Sequence, residues 1–95
     1  MSTVYVGKIS PATVLSDYQN LLRKANYLSS FKKGVPLVIK INLSWTRFYP
    51  ACSTPPWQLE GVLKTLIEDG VNPKDIIPVE NRTVVTDVIK GSKNN

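Results

Sequence analysis

Histidine is absent from the 95 residues, and cysteine occurs once, at Cys52. The first absence removes Ser-His-Asp and Cys-His catalysis and any histidine-ligated metal. The second leaves no internal disulfide, no four-cysteine zinc site and no iron–sulfur cluster held by this chain alone. Long apolar runs are lacking too. The longest, Val35 to Leu43, is broken by Pro36, Lys40 and Asn42 and falls far short of the ~20 residues that span a bilayer. The first ten residues hold neither a basic stretch nor a long apolar one, so no signal peptide is read there. Neither G-x-G-x-x-G nor G-x-x-x-x-G-K-[ST] occurs, which excludes both nucleotide fingerprints. The expectation is a cytoplasmic protein without cofactor, metal or membrane association.

What is present is the balance of a folded domain, with 42% hydrophobic and 20% charged residues. That mixture rules out a disordered chain, and the length allows one core. The net charge of +5 comes from 12 Lys+Arg against 7 Asp+Glu. The cations are scattered, except for Arg23-Lys24 and Lys32-Lys33, near the end of an expected helix whose macrodipole they complement. A nucleic-acid surface needs a single basic stripe beside aromatics, so that partner is not expected.

Thr3 to Ile9 is β-rich and reads as a first strand,. Ser10-Pro11 then supplies a cap and a first-turn proline. Val14, Leu15, Tyr18, Leu21, Leu22, Ala25 and Leu28 continue at helical spacing to about Leu28,. Val35–Leu43 reads as a second, central strand covered on both faces, as parallel sheets require,. Leu37, Ile39, Ile41 and Leu43 share one face; Val38, Lys40 and Asn42 share the other. A second helix begins at Thr54-Pro55 and buries Leu59, Val62, Leu63, Leu66 and Ile67. Gly70 is its left-handed terminator, with Val71 in apolar contact,. Asp75 to Glu80 reads as a third strand, and Pro78 confines it to an edge or a bulge,. Thr83–Ile89 fits strand or helix equally, and Ser92–Asn95 reads as a frayed tail,. The fold class is α/β: a small two- or three-layer β-α-β-α-β unit over residues 1–91 with a mostly parallel sheet.

In open parallel sheets ligands sit beyond the carboxyl ends of the strands. There the second strand delivers Lys40 and Asn42 into a connection of about 11 residues, and the third delivers Glu80, Asn81 and Arg82. Four of the eight aromatics, Trp45, Phe48, Tyr49 and Trp57, lie in or beside that connection. Long aromatic loops at that end of a sheet are more often functional than merely connecting. The candidate ligand-binding set is Lys40, Asn42, Ser53, Thr54, Glu80 and Asn81, with phosphate or carboxylate favoured by the lysine and the helix start. Each residue also has a plainer role. Lys40 pairs with Glu80 on the neighbouring strand, Thr54 caps the helix, and the asparagines satisfy loop backbone. Cys52 would need a lowered pKa to act as a nucleophile.

Val38-Ile39-Lys40-Ile41-Asn42-Leu43, then Pro50, Ser53-Thr54-Pro55-Pro56-Trp57, Gly70 and Val79-Glu80-Asn81 form a K-x-N, T-P and acidic-end pattern. It resembles the mainly prokaryotic family known as domain of unknown function 362, over roughly Thr3 to Gly91. The resemblance implies an α/β fold and no defined reaction. Some relatives carry ferredoxin-like cysteine clusters in a later segment, which this chain lacks. Typical members are longer, so the resemblance implies the amino-terminal portion of the pattern and a missing carboxyl-terminal portion as one partner. Two readings follow. One is an α/β module with an anion or small-ligand pocket at the six residues above. The other is a structural or interaction protein, a homo-oligomer joined through its sheet edge and aromatic loop. Exposed Trp45, Phe48 and Tyr49 favour the second; Lys40, Asn42 and Glu80 converging on a void favour the first.

Overall fold

Val14, Leu15, Tyr18, Leu21 and Leu22 form one apolar stripe. They set α1, Val14–Lys24, in a computed structural model that describes residues 1–95. The helix starts three residues later than Ser10-Pro11 suggests, because Ser10 is held by a polar box instead. Its N–H donates to Asp17 Oδ2 (3.2 Å), and Thr13 Oγ1 donates to the same oxygen (2.7 Å). The helix also stops before Leu28. Asn26 adopts φ 51°, a left-handed conformation that helices do not continue through, and Tyr27–Ser30 forms a single tighter turn.

Strand β1, Leu37–Lys40, and strand β2, Ile76–Val79, pair in parallel with Ile39 opposite Pro78. Helix α2, Pro56–Glu68, connects them, and α3, Val88–Asn94, follows. The architecture is mixed α/β, but the sheet has two strands and not three. Thr3–Ile9 forms no strand and makes no backbone–backbone hydrogen bond. The expectation of a strand covered on both faces also fails. Leu37, Ile39 and Ile41 are half-buried and Leu43 is buried, whereas Val38, Lys40 and Asn42 on the other face are exposed.

Helix α2 terminates as its residues require. Gly70 sits at φ 90°, its N–H bonds Ile67 O, and the Val71 N–H bonds Leu66 O (2.9 Å). This is a Schellman motif, and Val71 and Leu66, the two residues its longer bond joins, are both buried. Helices α1 and α2 cross closely: a methyl built on Gly61 would lie 3.0 Å from Tyr18 Cβ. Their carboxyl ends are tied by Arg23, which pairs with Asp69 (2.8 Å) and Glu68 (3.2 Å). Tyr27 donates to Asp69 (2.8 Å), and its hydroxyl pKa is pushed up to about 12 by burial and then by that carboxylate. Arg23 and then Tyr27 hold Asp69 below the usual carboxylate range.

The ambiguous stretch resolves into both a turn and a helix. Thr83 and Thr86 exchange backbone hydrogen bonds, and Asp87 then caps α3 by accepting from the Ile89 and Lys90 N–H groups (3.1 Å each). Ser92–Asn94 continues that helix instead of fraying. The buried apolar core is small: Leu43, Leu66 and Val71. No helix is long and apolar enough to cross a membrane.

Candidate functional site

The parallel register sets Lys40 opposite Val79, one residue short of Glu80. The lysine at the end of β1 therefore reaches the carboxylate at the end of β2, with Nζ 2.6 Å from Oε1. Glu80 also accepts from the Asn81 N–H (Oε1, 2.7 Å) and the Leu43 N–H (Oε2, 2.7 Å). Lys40 additionally donates to the Ile41 carbonyl. Lys40 first, and then the two backbone N–H groups, lower the Glu80 pKa to about 2. A carboxylate held charged to that extent is a weak general base. Both its oxygens are spent on organising the chain where it leaves the sheet.

Asn42, Ser53 and Thr54 form an adjoining cluster. The Asn42 N–H donates to Thr54 Oγ1 (2.8 Å), and the Thr54 N–H donates to the Asn42 carbonyl (2.7 Å). The Asn42 side-chain amide donates to Ser44 Oγ (2.7 Å) and the Cys52 carbonyl (2.8 Å). Ser53 Oγ accepts from the Ser44 N–H at 3.3 Å. These bonds close the 42–54 connection into a loop fastened at its base. Thr54 thus serves strand β1 and does not cap α2, whose first residue is preceded by Pro55 with no side-chain cap.

The start of α2 is also poor in donors. Pro55 and Pro56 lack N–H groups, and the Gln58 and Leu59 N–H groups both go to the Pro55 carbonyl,. Of the donors that normally bind an anion at a helix start, only the Trp57 N–H is left. Asn81 contributes its backbone N–H, while its side chain is exposed. The six candidate residues are therefore neighbours in two hydrogen-bonded groups, engaged partly with one another and partly with Ile41, Leu43, Ser44 and Cys52, while the Asn81 side chain stays exposed. Cys52 is exposed at the loop.

The apolar side of the same loop is less well covered. Trp45 and Tyr49 pack ring against ring with centroids 5.7 Å apart, yet they are 43% and 49% exposed, and Phe48 is 62% exposed. Phe48, Tyr49, Pro50, Ser53, Thr54 and Trp57 border a groove of about 540 Å³.

The carboxyl-terminal segment holds the loop's other side, through residues that the sequence reading did not single out. Buried Thr86 donates to the Ser44 carbonyl (2.7 Å), and Thr46 Oγ1 accepts from the Asp87 N–H (2.7 Å). Asn94 donates to the Thr46 carbonyl (2.8 Å) and Asn95 to the Trp45 carbonyl (3.3 Å). The one local signal was Asp87 before Val88-Ile89, a helix-cap pattern. Nothing in Thr46, Asn94 or Asn95 alone announces contacts made 41 to 50 residues away,.

No family model, no curated protein and no solved structure matches the chain.

Proposed function

We propose that the protein is an interaction module that self-associates, with the aromatic loop at the carboxyl end of the sheet as part of the contact. The observation that carries this reading is the contrast within one loop. Its polar groups are paired internally, while Trp45, Phe48 and Tyr49 stay about half exposed or more. Clustered exposed aromatics are typical of the centres of protein interfaces. Exposed Val38 and Ile77, side by side on the open face of the sheet, add to the surface a second copy would cover. The resemblance to the domain-362 family belongs to the same proposal and rests on Lys40, Asn42, Thr54, Pro55, Glu80 and Asn81.

Light scattering coupled to size exclusion tests the reading, with wild type compared to Phe48→Asp. A dimer or larger species that the substitution dissociates supports it. A wild-type monomer across the accessible concentration range overturns it. Phosphate binding that Lys40→Ala abolishes would instead support an anion pocket at the six polar residues.

A further inference from the structure

The alternation of the β1–β2 ladder determines which sheet edge is open. The Ile41 N–H bonds the Val79 carbonyl (3.0 Å), and Ile39 lies opposite Pro78. In a parallel ladder the backbone groups of Leu37, Ile39 and Ile41 then point to β2, through Ile77 and Val79. Those of Val38, Lys40 and Asn42 point away. On β2 the outward residues include Pro78, which has no N–H and so blunts that edge. On β1 only Asn42 is answered, by Thr54. Val38 and Lys40 present unpaired donors and acceptors on that edge, where a proline, Pro36, stands only before the strand begins.

The same chain holds a segment suited to that edge. Thr3-Val4-Tyr5-Val6-Gly7-Lys8-Ile9 is β-rich, makes no backbone–backbone hydrogen bond, and leaves Val4 and Val6 82% and 91% exposed. In its own chain this arm lies along α1, with Gly7 against Leu21 and Ile9 beside Val14 and Trp57. Its far end is fixed by the Ser10–Thr13–Asp17 box.

Building on the self-association proposed above, we infer that the outer edge of β1 receives the Thr3–Ile9 arm of a second copy as a third strand, by reciprocal exchange. An intramolecular strand would run parallel to β1 and leave the sheet at its carboxyl end, where Thr54 already occupies the edge beside Asn42. An arm from a second copy runs antiparallel and joins its own body past Leu37, clear of Thr54. Val4 and Val6 then extend the apolar face begun by Val38 and Ile77. The area is sufficient. A specific interface needs about 1,200 Å² in total. Two seven-residue arms and their hosts reach it if each arm residue loses roughly 45 Å² and covers as much on its host, a minor part of what a largely exposed valine shows.

The test uses full-length chains carrying Cys52→Ser. Equimolar Val6→Cys and Val38→Cys proteins are mixed, refolded together and oxidised, and the yield of covalent heterodimer is compared with that from Val38→Cys mixed with cysteine-free chain. A heterodimer is expected, and Val6→Pro is expected to weaken dimerisation on the order of tenfold or more with helical circular dichroism unchanged. A wild-type dimer without the heterodimer, or one that Val6→Pro leaves intact, overturns arm exchange while self-association stands. A disulfide within one chain carrying both cysteines, in a monomer, overturns exchange in favour of intramolecular pairing. A monomeric wild type overturns both readings.

Discussion

Glu80 joins the two strand ends to the loop between β1 and α2, and its acidity makes that role measurable. Its folded pKa of about 2 lies below the ordinary value of 4.5, chiefly through the Lys40 hydrogen bond and then the Asn81 and Leu43 N–H groups. A depressed carboxylate contributes stability that is fully present above its unfolded pKa and is lost as pH falls through the folded one. The thermal midpoint is therefore expected to fall on acidification from about pH 5 toward pH 2. Glu80→Gln should flatten this acid limb while lowering stability at neutral pH by about 1–3 kcal/mol, since the part-buried Leu43 N–H and the Lys40 ammonium lose a charged acceptor,. Thermal melts at several pH values decide the matter; parallel profiles for the two proteins would remove Glu80 as the source. The Lys40–Glu80 pair was legible beforehand, because a parallel register brings strand ends together. The role of Thr54 was not. Its position before two prolines reads as a helix cap, but its partner is Asn42, 12 residues back. Thr54→Val, which keeps the shape and removes the acceptor, is expected to cost about 1 kcal/mol in urea unfolding.

At the scale of elements, legibility followed the range over which each element is stabilised. Helix α2 and its Gly70 terminator depend on residues a few positions apart, so the stop signal and most of the stripe could be read directly; Ile67, expected in the buried stripe, is instead exposed. Gly70→Ala is expected to destabilise by at least about 1 kcal/mol, because φ 90° is strained for a residue with a side chain,. Equilibrium urea unfolding checks this, with an unchanged midpoint as the contrary result. Strands are different, since their backbone must be paired by something distant in sequence. Pro78 marked β2 as an edge correctly. The pattern of Thr3–Ile9, by contrast, specified a strand without specifying a partner within the molecule. The turn and helix after Arg82 show a third case. β-branched residues favour extension, but the Asp87 side chain satisfies two N–H groups and decides for α3. Asp87→Ala should therefore destabilise the start of α3. It should also loosen Trp45 and Thr46, which the end of α3 holds through Asn94 and Asn95. Intrinsic tryptophan fluorescence would register that loosening as a red shift.

For the whole molecule, two properties pull against each other. Only three apolar side chains are buried, while exposed ones occur on the arm, on the open sheet face and in the aromatic loop. The apolar surface favours association between copies. The net charge of +5 opposes it, because every copy carries the same sign, and Lys8, Lys40 and Arg47 lie on or beside the surfaces in question. Added salt shortens the Debye length from about 10 Å at 0.1 M to about 3 Å at 1 M, removing much of that repulsion while leaving apolar burial in place. Self-association is therefore expected to tighten as salt rises. Sedimentation velocity at fixed protein concentration across a salt series would show the weight-average coefficient increasing. A nucleic-acid partner or an acidic protein gives the opposite trend, since attraction to the same cations weakens as they are screened. Association that weakens with salt would thus assign the exposed loop and sheet edge to an oppositely charged partner. Tightening assigns them to a second copy, held by the residues that a single chain leaves uncovered.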